Sequence, residues 1–211
     1  MTGAGWLELL GAGAALGLAA GLSPGPLLAL VVSQTVRHGP REGLKVAAAP
    51  LITDAPIVLL SVLVISRLES DVVLGLIALA GGAFVAFLGI ENLRTTRLEV
   101  DGGDRAPRSW RQGATVNALS PHPYIFWVTV GAPILLSASS AGPAGPLAFL
   151  LGFYICLVGS KVAVALAVGA SRGVLMGGAY RWIMRGLGAV LLIFTALLVR
   201  EGLVLLGVLA G

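Results

Sequence analysis

Charge is what this chain has least of. Only 11% of its 211 residues are Asp, Glu, Lys or Arg, against about a quarter in an ordinary soluble domain. A surface that poor in charge cannot mostly face water. Cysteine is nearly absent too. Cys156 stands alone, which excludes an internal disulfide and argues against a dithiol redox relay. The two histidines, His38 and His122, lie far apart and make no metal-ligand cluster with the single cysteine. No Ser–His–Asp arrangement has supporting sequence, so neither an enzyme nor a resident cofactor is expected. GAGAAL at 11–16 lacks the third glycine of a dinucleotide fingerprint, and no strand precedes it.

What is present is apolar. Hydrophobic residues make up 57% of the chain, and mean hydropathy is +0.95. These values predict an all-α integral membrane protein in which 1–211 forms one transport-sized domain set in a lipid bilayer. The net charge of +4 does not point to nucleic acid, because the basic residues sit in short loops between apolar runs. Before Arg37 the only charged side chain is Glu8, and the run from Trp6 to Val36 exceeds a signal-peptide core. It is expected to belong to the mature fold.

Six apolar segments fall near 6–34, 46–66, 72–93, 113–137, 146–170 and 182–208. Eleven of the fourteen Lys and Arg residues lie in three alternate loops: Arg37, Arg41 and Lys45; Arg94, Arg97, Arg105, Arg108 and Arg111; Arg172, Arg181 and Arg185. The opposite side holds Arg67 and Arg200, and the loop SASSAGPAGP has no charge. The positive-inside rule puts the basic loops in the cytoplasm and both termini outside. Trp6, Trp110 and Trp182 fall near span ends, where indoles favour the interface.

The motif LSP-x-P occurs twice, in LSPGPLLALVVSQ at 22–34 and LSPHPYIFWVTVG at 119–131. Each copy interrupts a long apolar run, the first span and the fourth. With three spans per half, the halves must lie in opposite directions. This predicts an inverted three-plus-three repeat, 1–94 and 113–211, tied by a cytoplasmic linker at 95–112.

Proline without an N–H leaves helical carbonyls unpaired: those of Ala20 and Leu22 through Pro24 and Pro26, and those of Asn117 and Leu119 through Pro121 and Pro123. Unpaired backbone in lipid survives only inside protein or beside a wet cavity. Ser23 and Ser120 are good N-caps for second half-helices, with Gly25 adjoining the first. The expected open N–H groups are those of Leu27, Leu28, Tyr124 and Ile125. Such ends carry roughly half a positive charge and favour a carboxylate. Proline kinks that only curve the helices are the plain alternative.

Two charges lie within apolar spans. Asp54 is nine residues beyond Lys45 and Lys161 eleven before Arg172, so both stand about 13–17 Å from the basic loops. A charge at that depth costs about 2.5–3.5 kcal/mol on insertion scales. An ion pair facing the bundle interior is expected, either structural or serving substrate and proton. His122, inside LSPHP, is a candidate proton-linked group or a structural histidine. Gly13, Gly17, Gly21 and Gly25 form a small-residue stripe for close helix contact, within the bundle or in a homo-oligomer.

PGP in the first span, the basic loop GPREGLKVA, LGIENLR closing the third span and NALSPHPYIFW opening the fourth together resemble the LysE/RhtB translocators. The resemblance covers most of the chain. It implies a six-helix exporter of lysine, homoserine, threonine or related solutes in a bacterial plasma membrane. The expected function is export of an amino acid or similar zwitterion by proton exchange. Half-helix ends at Ser23, Pro24, Gly25, Pro26, Asn117, Ser120, Pro121 and Tyr124 would bind the substrate. Asp54 and Lys161 would bind substrate as well, and with His122 they would couple protons as the halves rock. The alternative is an ion or metal permease of the wider superfamily.

Overall fold

A computed structural model of the chain describes residues 3–23, 25–67, 70–94, 109–140, 142–170 and 178–209. Every regular element among them is helical: α1 (Gly3–Leu22), α2 (Pro26–His38), α3 (Pro40–Ala47), α4 (Pro50–Ile65), α5 (Asp71–Arg94), α6 (Ser109–Leu119), α7 (Pro121–Phe126), a π-helical turn (Trp127–Gly131), α8 (Ala132–Ser139), α9 (Ala144–Ala170) and α10 (Gly178–Leu205). Proline sets the punctuation. Pro26, Pro40, Pro50 and Pro121 each open a helix, where a missing N–H costs nothing. Between α2 and α3 the chain turns through Gly39 at φ 93°, a conformation that glycine adopts without strain.

Among the described residues five helical stretches are long and apolar enough to cross a membrane: Gly5–Leu22, Pro40–Ile65, Asp71–Glu91, Ala144–Ala170 and Gly188–Leu205. The second begins at Pro40 rather than at 46, because α3 and α4 run on with only a turn at Ala48 and Ala49. The predicted fourth span is broken at Ser120 into α6 and the continuous run 121–139. The linker residues 95–108, with Arg97, Arg105 and Arg108, lie outside the described residues, as does Arg172.

Glycine decides which helices touch. A Cβ on Gly13 would strike the carbonyl of Phe149, one on Gly17 that of Phe153, and one on Gly21 the hydroxyl of Ser160. Rising numbers pair with rising numbers, so α1 and α9 run the same way, backbone against backbone. Gly152 returns the contact against Leu10 and Ala14. The stripe predicted from the sequence therefore packs within the bundle, except Gly25, which meets nothing within 4 Å. In contrast, Gly75 meets Gly202, and Gly89 meets Gly188, so α5 and α10 run oppositely.

The outside of this bundle is apolar. On α4 alone Ile52, Leu59 and Leu60 are more than 60% exposed, as a lipid-facing surface requires. Trp6, Trp110 and Trp182 are exposed near helix ends, whereas Trp127 is buried. Basic residues gather at one end. Pro40 packs on Gly169, Gln34 binds both Ser109 and Gln112, and Gly89 packs on Gly188. These contacts put Arg37, Arg41, Arg94, Arg111 and Arg185 on the same side.

Candidate functional site

Both helix breaks open onto one cavity of about 110 Å³. That is room for several waters or a small solute. The first break contributes Ala20, Ser23, Gly25, Pro26, Leu27 and Leu28, and the second Asn117, Ser120, His122, Pro123, Phe126 and Trp127. Between them stand Pro50 and Asp54 of α4, Phe84 of α5, and Phe153, Leu157 and Lys161 of α9.

Asp54 and Lys161 are each only 3% exposed. The Asn117 amide donates to Asp54 Oδ1 at 2.6 Å and to Thr53 Oγ1 at 2.7 Å. The Tyr154 hydroxyl reaches Asp54 Oδ2 at 3.5 Å. Lys161 Nζ donates instead to backbone, to the carbonyls of Gly21 at 2.9 Å and Ala20 at 3.4 Å. The expected Asp54–Lys161 ion pair is thus not a direct contact. Lys45 and Glu42, by contrast, do pair directly, at 2.6 Å. For Lys161 the reason lies in the break. α1 stops at Leu22, so the carbonyls of Ala20 and Gly21 in its last turn lack helical donors, and the ammonium takes them.

The caps also differ from expectation. Gly25, not Ser23, holds the N-cap position of α2 and has no side chain to cap with. Leu27 and Leu28 are therefore the second and third helical residues, where N–H groups have no intrahelical acceptor. Ser120 does hold the N-cap position of α7 but makes no side-chain cap bond. Pro121 and Pro123 occupy two of the three open positions, leaving His122 alone with an N–H there. Tyr124 and Ile125 are the fourth and fifth residues of α7, past its first three positions.

Of the residues singled out from the sequence, Ser23, Gly25, Pro26, Asp54, Asn117, Ser120, His122 and Lys161 meet at the cavity. Tyr124 does not. It is 44% exposed and turned away, its hydroxyl on the carbonyl of Ala118 at 2.7 Å. Pro24 lies outside the described residues, and Pro121 is described by its backbone alone.

Sequence reasoning missed the aromatic wall. Phe126 stacks on Phe153 at 5.0 Å, Trp127 meets Phe153 edge-on at 5.2 Å, and His122 lies 5.9 Å from Phe84. One signal was available: Tyr154 precedes Lys161 by seven residues, two helical turns on one face.

A bundle of lipid-crossing helices with interrupted segments and buried charge around a central cavity defines a multi-pass membrane translocator. The chain matches the family described as LysE type translocator over residues 18–202, and it belongs to that family. No curated protein and no solved structure matches it.

Proposed function

We propose that the chain exports an amino acid or a related small zwitterion across a bacterial plasma membrane, exchanging it for protons. The single observation that carries this reading is the convergence of two helix breaks, Asp54 and Lys161 on one cavity. A zwitterion needs an anion site and a cation site a few ångströms apart. The start of α2, with the second and third N–H groups of Leu27 and Leu28, suits a carboxylate. Asp54 suits the ammonium or a proton, and His122 on the same cavity is a second proton site. The aromatic wall would cover the remainder of the solute.

In this reading the chain crosses the membrane six times, the broken run 109–139 being the fourth crossing in chain order, added to the five unbroken ones. It forms an inverted repeat with both termini outside. Three packing relations support it: α1 and α9 run parallel, α5 and α10 run antiparallel, and α4 runs alongside 109–139 in the same direction, with Val46 beside Gly113 and Asp54 beside Asn117. An inversion that exchanges first with fourth, second with fifth and third with sixth spans maps this set of relations onto itself.

The test is flux from proteoliposomes over an amino acid panel under an imposed pH gradient. Wild type is expected to move at least one amino acid with proton counterflow. Asp54→Asn is expected to lose pH-driven flux while melting as wild type does. Unchanged flux would refute the role of Asp54, and charge movement without any amino acid would favour an ion permease.

A further inference from the structure

At the first break a carbonyl is held by a cation, and at the second by a neutral group. The two LSP-x-P copies are offset by 97 residues, so Gly21 corresponds to Ala118. The carbonyl of Ala118 accepts from the Tyr124 hydroxyl at 2.7 Å. The carbonyl of Gly21 accepts from the Lys161 ammonium at 2.9 Å, and that of Ala20 at 3.4 Å. A hydroxyl is therefore enough to satisfy a carbonyl at such a break. Burying a full charge for the same purpose is far costlier, so the charge itself has a task.

The surroundings identify it. The ammonium donates to two backbone carbonyls at the open C-terminal end of α1, an end that carries roughly half a negative charge; two more oxygens stand in the neighbourhood, the Ser160 hydroxyl packed on Gly21 and the Asp54 carboxylate on the same cavity. Hard cations prefer all-oxygen surroundings. Half-helix C-termini and unwound carbonyls are where transporters of this general plan bind a coupling sodium ion. We propose that the Lys161 ammonium is a built-in occupant of a monovalent-cation site at the end of α1, so that the protein holds its first break closed without a metal ion. Lys161 is then a positioning residue for α1 rather than a substrate ligand.

This inference does not depend on which solute is exported, and its main readout is binding rather than flux. Purified Lys161→Ala is titrated with sodium, potassium, lithium or methylammonium chloride against choline chloride at constant ionic strength, and melting is followed. Removing the side chain leaves the oxygens in place and the site empty. One of the small cations is expected to raise the melting temperature saturably, by about 5 °C. Wild type, whose site is filled, is expected to melt alike in all these salts. Lys161→Met, which fills the space with an apolar chain, is expected to show no cation effect. A Lys161→Ala melt indifferent to the cation overturns the proposal, and so does a sodium-specific shift in wild type. If Lys161→Ala is not recovered folded, the titration is done on Lys161→Ser. Recovery of neither variant in any of these salts also counts against the proposal, because an added cation must be able to take over the same carbonyls. Failure of amino acid flux with a positive cation shift would sink the export reading alone.

Discussion

Asn117 uses both of its amide protons on one helix, giving 2.6 Å to Asp54 and 2.7 Å to Thr53. Tyr154 approaches the same carboxylate at 3.5 Å, the limit of a useful hydrogen bond. The two contacts therefore rank themselves. Asn117→Ala removes the shortest hydrogen bond to the buried Asp54 carboxylate and the one to Thr53, a loss of about 1–3 kcal/mol. It is expected to lower the melting temperature by several degrees and to cut flux severely. Tyr154→Phe is expected to change melting little, and equal damage from the two would contradict the ranking. Asp54 and Lys161 were legible in the sequence because each is a charge within an apolar span, whereas Asn117 was singled out for the carbonyl that Pro121 frees and not for its side chain. What Lys161 touches was not legible. Opposite charges at equal depth imply a pair, and nothing in the spacing shows that backbone freed by the break lies nearer.

Among the elements, α1 and α9 meet through backbone, and their contact is sensitive to a single methyl group. Gly17→Leu must push Phe153 away. Overpacking of that kind costs about 1–3 kcal/mol, expected as a lower melting temperature and less folded protein in detergent. Gly25→Ala makes the opposite case, because a Cβ there meets nothing and the backbone at φ −168° accepts any residue. It is expected to leave melting unchanged and, since Gly25 lines the cavity, to lower flux. Identical melting of the two variants would show that the stripe does not hold α1 to α9. The glycine spacing was readable beforehand, but not its partner helix. The π-helical turn at Trp127–Gly131 was not readable at all. It puts an extra residue into one turn, and Gly131 makes room for the Trp127 ring. Phe is as apolar as the lipid-facing Leu and Ile around it, so hydropathy could not assign Phe84, Phe126 and Phe153 to a cavity wall rather than to the lipid face.

For the whole molecule, the crossing pattern carries an orientation that labelling can check. On a Cys156→Ser background, Arg41→Cys and Arg111→Cys at the basic end are expected to react with a membrane-impermeant thiol reagent only from the cytoplasm. Ser140→Cys, exposed between α8 and α9, is expected to react only from outside. The reverse pattern would invert the topology. That the chain is a multi-pass helical membrane protein with its basic residues between the apolar runs was legible, because lipid tolerates so little else. How the crossings are fastened together was not, and it changes the expected motion. The seams along α1–α9 and α5–α10 are made through main-chain atoms, which have no alternative rotamers to slide through, and in the inverted repeat proposed above each would stitch one half to the other. Halves joined in that way would not swing past one another as intact blocks. Each welded pair travels as a strut, and opening the cavity falls to the lighter pieces beyond the proline interruptions, α2 with α3 and the run 121–139.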